Sequence, residues 1–410
     1  MRQKHQESPN LFIEPVDYTH IKKWNNIPRE KWDDWHWQLQ NAVRSIEEFS
    51  TTVGSLSGLS SKRTVKLAQA TNTFEMKLTP HTVFSIYRAM KLHDHSGERA
   101  LLATFVPSTN ELAQIEDGVD SIGEDLECSK PAPLVTNFYG NRVLLFAANM
   151  CPSYCRFCFR RRKVGDRIPE EVEHGTNANE LRTAMSYISR NKAVREVIIS
   201  GGDPLTLGDD RLMILLDELK GISHIEIVRI DTKVFTTLPQ RIDAGLIDVL
   251  QRFRPLYIVG NFLHSIELTK EAIKATSSLI DAGIPVLSHT PLLKGINDDK
   301  DTLAELMWNL YKNRISPYYL IQFIPTKWTE HFRVPLERGM RLVRHLQTQL
   351  PGISNPTYII YLPNGAGKVP VSPNYLLERT ADGYYFRSFS GRRVLYSEPR
   401  KRRGVSSHRS

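Results

Sequence analysis

From Val143 onward, short apolar runs alternate with stretches in which apolar residues recur every three or four positions. The runs 143–148, 196–199, 225–230, 256–262, 284–289 and 317–323 read as strands, and the stretches near 178–191, 209–220, 243–253, 270–282 and 299–313 read as amphipathic helices. Such alternation predicts a parallel sheet with right-handed crossovers, and hence an α/β fold. Six βα repeats fall short of the eight of a closed barrel, so a partial (β/α)6 barrel is expected. In sheets of this kind the chemistry gathers at the carboxyl ends of the strands. Upstream, Trp24, Trp32, Trp35 and Trp37 crowd together. Trp32, Trp35, Leu39, Val43 and Ile46 fall at helical spacing and predict one helix with a strongly apolar face, suited to docking on another domain or subunit. Thr79-Pro80 is a helix start, with Val83, Phe84, Tyr87 and Met90 on the buried side. Residues 107–134 are acidic and turn-rich, end in Pro131-Ala132-Pro133, and read as a linker. The expected division is a helical domain and linker over 1–135, the barrel over 136–350, a C-terminal segment over 351–399 and a basic tail over 400–410.

Composition changes this picture little. With 410 residues and 40% hydrophobic content, the chain can bury one large core and an appended domain. The polar start Met1–Asn10 does not read as a signal peptide, and no apolar stretch reaches transmembrane length, so a cytoplasmic protein with no membrane partner is expected. The net charge of +9 would point to nucleic acid, but Arg400, Lys401, Arg402, Arg403 and Arg409 carry five of those charges and leave +4 on the rest. Nucleic acid is therefore not an expected partner.

The chemistry concentrates in Cys151-Pro152-Ser153-Tyr154-Cys155-Arg156-Phe157-Cys158, which holds three of the four cysteines. Thiolates this close suit iron–sulfur or zinc ligation. A structural zinc site wants four ligands, and the remaining Cys128 has no partner at ligand spacing. Three thiolates on a four-iron cluster would leave one iron open to a small molecule. The loop follows the first barrel strand. Ser200-Gly201-Gly202-Asp203 follows the second, where glycines admit close backbone approach and Asp203 adds a carboxylate. Taken alone, that is a commonplace turn. Near the end, Asn364-Gly365-Ala366-Gly367-Lys368 has the look of a phosphate loop, but Leu362 stands where the first glycine belongs and Val369 where Ser or Thr belongs. Without further context Lys368 reads as a surface lysine after a glycine turn.

The Cys-x3-Cys-x2-Cys spacing, with an aromatic before the last cysteine, resembles the radical S-adenosylmethionine (SAM) superfamily. Further matches narrow this. Cys158-Phe159-Arg160-Arg161-Arg162, Leu238-Pro239-Gln240-Arg241, Pro317-Tyr318-Tyr319, His331-Phe332-Arg333 and Gly367-Lys368-Val369-Pro370-Val371-Ser372-Pro373-Asn374-Tyr375 resemble the lysine 2,3-aminomutase family from about Trp24 to Pro399. The resemblance implies a radical SAM barrel with an N-terminal helical extension and a C-terminal segment carrying the pyridoxal 5'-phosphate (PLP) lysine. It implies a [4Fe-4S] cluster on Cys151, Cys155 and Cys158. SAM would be bound at Ser200, Gly201, Gly202 and Asp203, with Asp203 accepting from its ammonium and His264 bordering it. PLP would be held as a Schiff base by Lys368, with Tyr139 and Arg142 near its phosphate and Phe138 where the family has a basic group. Arg160 would pair with the carboxylate of an amino acid substrate, as a guanidinium fork suits a planar carboxylate. Glu267 also matches a family position. The implied activity is an isomerase that moves an amino group from C2 to C3, served by an electron donor such as flavodoxin or ferredoxin. A homodimer or tetramer is compatible with it.

Two departures bear on substrate and metal. Lysine aminomutases hold the substrate's ε-ammonium with two aspartates, and the matching positions here are Ile324 and Tyr361. Neither neutralises a buried ammonium, and burying an unpaired charge is costly. The lysine and asparagine of glutamate-specific relatives are absent too. A neutral side chain is therefore expected, although Lys327 lies close enough in sequence to select an acid. The interfacial zinc of some family members needs C-terminal cysteines. None follows Cys158, and zinc is not expected.

Overall fold

The protein is described by a computed structural model, which covers residues 16–54, 67, 69–71, 74–113, 118, 120–165, 177–388 and 390–397. The polar start and the basic tail lie outside the described residues. No helix among them is long and apolar enough to cross a membrane.

Nine strands form one sheet in sequence order: β1 (Val135–Tyr139), β2 (Arg142–Ala148), β3 (Glu196–Gly201), β4 (Ile227–Thr232), β5 (Leu256–Asn261), β6 (Val286–Leu292), β7 (Ser316–Gln322), β8 (Thr357–Tyr361) and β9 (Lys368–Pro370). Strands β2 to β8 are parallel, with an antiparallel strand added at each edge. The helices Ala178–Arg190, Asp209–Lys220, Ala244–Leu250, Lys270–Asp281, Lys300–Lys312 and Leu336–Gln349 make the six crossovers. The expected six βα units are present, and among the described residues the first strand does not pair with the last, so the barrel is open. Asn177, Asp243, Thr269 and Asp299 cap four of these helices through their side chains.

Side chains alternate across the sheet. Val143, Leu145, Val197, Ile199, Val228, Ile230, Ile258, Val286, Leu320 and Tyr358 pack with the helices in the main core. By the same period, Ser200, Arg229, Asp231, Asn261, Tyr319 and Tyr361 face the concave side. That face gathers polar and charged side chains. A second, smaller sheet follows from β10 (Leu376–Thr380), β11 (Gly383–Arg387) and β12 (Arg393–Tyr396).

The N-terminal part departs from expectation in two ways. The single helix expected around Trp32–Ile46 is three pieces: Arg29–Trp32, Trp35–Gln40 and Ile46–Val53. Asp34 and Ser45 end each continuation by capping the next piece, and Val43 pairs its backbone with Leu78 (2.7 and 2.9 Å). Trp32 is buried against Tyr18 (stacked, 4.0 Å), while Trp35 faces the barrel with Arg241 over its ring at 4.6 Å. Thr79 does cap the helix Pro80–Lys91, as expected. The second departure is the acidic stretch. It is not simply a solvated linker, because Glu111 (0% exposed) and Glu124 (2% exposed) are driven into the site by arginines.

Helix Leu336–Gln349 sits on β8 through Gly339, where a Cβ would overlap the Tyr358 hydroxyl. That hydroxyl donates to Gln322 Oε1, and Gln322 Nε2 donates to the Val334 carbonyl at 2.7 Å. Gly339→Ala is expected to lower denaturant stability by about 1–3 kcal/mol through overpacking. Gly352→Ala, with nothing within 4 Å of the new methyl, serves as the control and should change it by less than about 0.5 kcal/mol.

A candidate active site at the carboxyl ends of the strands

The cysteine loop leaves β2 and is fastened to the N-terminal part by its backbone. Tyr154 N donates to Lys77 O (2.9 Å), Arg156 N donates to Thr104 O (2.7 Å), and Thr79 N donates to Ser153 Oγ (3.0 Å). Arg156 is fully buried. Its Nε and Nη2 donate to the two oxygens of Glu111 (3.0 and 2.6 Å), and its Nη1 donates to the carbonyls of Phe74 and Glu75 (3.0 and 2.8 Å). Burial pushes the Cys155 thiol up to about 12 and raises Cys151 and Cys158 as well, and Cys158 adds to the rise at the other two. Unliganded, these are thiols; iron would convert them to thiolates. Among the described residues no three His, Cys, Asp or Glu side chains converge on a single ion. A cluster asks for a different arrangement, with each thiolate on its own iron, and three partly buried thiols spread along one loop suit it.

Beside this loop runs the end of β3. Gly202 N donates to Ala148 O (2.6 Å) and Asp203 N donates to Met150 O (2.7 Å). Gly201 has φ +125°, and a Cβ there would overlap Ala148 O, so the close approach requires glycine. Asp203 is buried, and desolvation lifts its carboxyl to about 6. Its Oδ1 accepts from Leu205 N (3.2 Å) and Thr232 Oγ1 (2.7 Å), and its Oδ2 accepts from Lys233 N (2.7 Å). Both oxygens thus already tie β3 to β4. His264 caps a turn, with Nδ1 accepting from Ile266 N (3.2 Å) and Nε2 3.3 Å from Ser96 Oγ. Glu267 accepts from Lys233 Nζ (2.7 Å) and Leu263 N (2.6 Å).

Arg160 lies inside the barrel. Nη1 donates to Ser200 Oγ (2.9 Å), while Nε and Nη2 donate to Glu124 Oε1 (3.0 and 2.6 Å). The buried Glu124 carboxyl is held below its usual range by Arg160, Lys163 and Arg162 despite its desolvation.

Lys368 opens β9 opposite Tyr361 of β8, so the two share a face of the sheet. Its Nζ lies 5.0 Å from the Tyr361 ring centre and 5.3 Å from that of Tyr319. Its backbone N–H donates to Tyr139 Oη (2.7 Å), and the Arg142 guanidinium stacks 3.7 Å over the Tyr139 ring. Burial lowers the Lys368 amine below the ordinary lysine value, with Asp231 opposing and Arg229 reinforcing that shift. Burial raises the Tyr361 hydroxyl, with Arg160 opposing. Arg160, Ser200, Tyr361 and Lys368 therefore gather at the concave side of the sheet. Ile324 is half-buried on the loop after β7.

Sequence reasoning missed Glu124, Arg229, Asp231 and His289. Arg229 and Asp231 were legible in principle, because they alternate with Val228 and Ile230 of the core; the expected strand stopped at Ile230, one residue short. Several buried polar atoms here have no hydrogen-bond partner: Asn149 Oδ1 after β2, Asp231 Oδ1 on β4, Asn261 Oδ1 on β5 and His289 Nε2 on β6. Such orphans are costly unless a ligand meets them. They suit polar cofactors and a polar substrate filling the concave face.

Comparison with known proteins fits this geometry. Residues 146–307 match the radical SAM superfamily, and residues 343–408 match the family described as lysine-2,3-aminomutase. The chain is 33% identical over 380 residues to the L-lysine 2,3-aminomutase of Bacillus subtilis, covering 92% of this chain and 77% of that one. The chain belongs to the lysine 2,3-aminomutase family. It is also 34% identical to the L-lysine 2,3-aminomutase of Clostridium subterminale (92% and 86% covered) and 32% identical to the glutamate 2,3-aminomutase of Clostridioides difficile (91% and 85% covered). Family membership makes the chain a radical SAM isomerase and implies a [4Fe-4S] cluster, SAM and PLP.

The Arg160–Glu124 pair is buried, so removing one partner strands the other. Glu124→Gln is expected to cost about 3–5 kcal/mol in denaturant unfolding, and the double variant Glu124→Gln/Arg160→Met should recover part of that loss.

Proposed function

We propose that this member of the family is a PLP-dependent 2,3-aminomutase that converts an α-amino acid to a β-amino acid. The observation that carries the reading is Lys368, whose amine sits inside the barrel among Tyr319 and Tyr361 rather than in solvent. When bound, PLP supplies an electron sink, and the cluster with SAM supplies the one-electron chemistry that removes a β-hydrogen. Lys368, depressed by burial, offers a neutral amine to the aldehyde cofactor more readily than an exposed lysine would. Tyr139 fixes the backbone of Lys368, and with Arg142 it would border the phosphate. Cys151, Cys155 and Cys158 would hold the cluster. The Ser200–Asp203 turn would receive SAM through its close backbone, with Asp203 orienting the turn and His264 beside it. Arg160 would face the substrate carboxylate and share its charge with Glu124. A flavodoxin- or ferredoxin-like donor would supply electrons, and a homodimer or tetramer remains compatible with the fold.

Ile324 and Tyr361 leave the usual ammonium anchors without a carboxylate, which favours a neutral side chain. One observation favours a second reading. Asp231 lies on the same concave face with a buried, unpartnered Oδ1, and it acts electrostatically on Lys368, Arg160 and Tyr361. A cationic side chain held from β4 would satisfy it.

An anaerobic assay with SAM, reductant, PLP and a panel of amino acids separates these. The first reading expects β-amino products from leucine, phenylalanine, tyrosine or alanine in preference to lysine. Better turnover of lysine than of these would overturn it, and loss of that turnover in Asp231→Asn would establish the second. Independently, borohydride reduction of the PLP-loaded chain should label Lys368. The yield should rise with pH around a midpoint below the ordinary lysine value of 10.5, because the depressed amine loses its proton earlier. Labelling that survives Lys368→Ala would contradict the assignment.

A further inference from the structure

Because the barrel is open, strand pairing does not by itself set the separation of its two edges. Small changes in twist accumulate along a sheet from the first edge to the last. Arg160 follows β2 near one edge, and Lys368 lies on β9 at the other. One bridge across the opening is the bond from Lys368 N to Tyr139 Oη of β1 (2.7 Å). A longer bridge is the segment 120–125 of the acidic stretch. On the first side, Glu124 accepts from Arg160 (2.6 and 3.0 Å), Asp120 pairs with Arg162 (2.9 Å), and Asp125 pairs with Arg162 and Lys163 (2.8 and 2.5 Å). On the second side, Ile122 O accepts from Gly365 N (3.0 Å) in the turn that leads into Lys368. Ser121 Oγ donates to Pro325 O (2.5 Å), next to Ile324. Asp120 folds the segment on itself, its two carboxylate oxygens accepting from Glu124 N (3.0 Å) and Asp125 N (2.7 Å). Gly123 sits at the tightest point. It has φ +78°, and a Cβ there would stand 2.6 Å from Gly365 N and 3.1 Å from the Asn364 carbonyl carbon, both backbone atoms. Seating so close requires glycine.

An α-amino acid carries its carboxylate and its amino group on one carbon. A substrate gripped by Arg160 at the first and at the Lys368 end by the second therefore fixes how far apart those grips stand. Such geometry tolerates little error, since a misplacement of about 1 Å can cost on the order of 100-fold. We infer that residues 120–125 form a strap that registers Arg160 against the Lys368 turn, with Gly123 as the positioning residue that seats it. Glu124 orients the guanidinium from one end of the strap, and Ile122 holds the turn before Lys368 from the other. Gly123 acts through these two and has no side chain of its own to offer the substrate. The inference rests on the function proposed above.

The test has two readouts. One is hydrogen exchange at the Gly365 amide in the full chain without cofactor. The other is equilibrium binding to the PLP-loaded chain of an amino acid and of the amine that lacks its carboxylate: leucine against isopentylamine, and lysine against cadaverine. Gly123→Ala should speed exchange at Gly365 by about tenfold or more and weaken the amino acid by a similar factor. The amine, which needs only the Lys368 end, should stay within about twofold of its original affinity, a split that a general loosening of the fold would not give. Gly118→Ala, with nothing within 4 Å of the new methyl, should change neither readout. Equal weakening of acid and amine would overturn the inference, as would unchanged amino acid binding once the Gly365 amide exchanges faster. An unchanged Gly365 amide would overturn it too. If Gly123→Ala does not fold, Asp120→Asn, which loosens the strap's own turn, is read by the same criteria. Failure of the unsubstituted chain to bind PLP or either amino acid would overturn the functional reading together with the inference, whereas equal weakening of acid and amine leaves that reading standing.

Discussion

Arg156 holds the cysteine loop to the rest of the molecule. All three guanidinium nitrogens are used: two on Glu111 and one on the carbonyls of Phe74 and Glu75. A guanidinium so deeply buried persists only while every partner stays in place. The consequence is mutual. Glu111 and the 74–75 segment are fixed by Arg156, and Arg156 fixes the loop between Cys155 and Cys158. The N-terminal part is therefore a wall of the site.

The other walls follow from sheet geometry. Parallel strands deliver their carboxyl ends to one rim, and strict alternation decides which residues turn inward. Glycine at 201 lets β3 close on the backbone of the cysteine loop, and Asp203 locks β3 to β4. At the far edge, β8 and β9 bring Lys368 back to the same concave face. The antiparallel edge strand thus does what no further crossover could do in so few residues. It returns a side chain across the open mouth of the barrel.

Much of this was readable beforehand. The six βα units, the cap at Thr79 and the rim positions of the cysteine loop follow from periodicity and local turn chemistry, which are local in sequence. What escaped reading was set by contacts across the chain. The tryptophan stretch has helical spacing throughout, but Val43 pairs with Leu78, and Asp34 and Ser45 restart the helix. The acidic stretch has a linker's composition, yet Glu111 and Glu124 are buried because arginines from the cysteine loop meet them. Asp231 sat one residue beyond an expected strand end. Buried charge partners distant in sequence leave no periodic trace, so only the fold reveals them.

The central claim is that the cluster end and the Lys368 end of the cavity act on one substrate. The direct measurement is anaerobic turnover of an accepted amino acid deuterated at the β-carbon, followed by mass analysis of the 5′-deoxyadenosine released from SAM. The account predicts deuterium in the 5′-deoxyadenosine, lost when Lys368 is replaced by alanine. Cleavage of SAM that yields only unlabelled 5′-deoxyadenosine while a β-amino acid forms would contradict it.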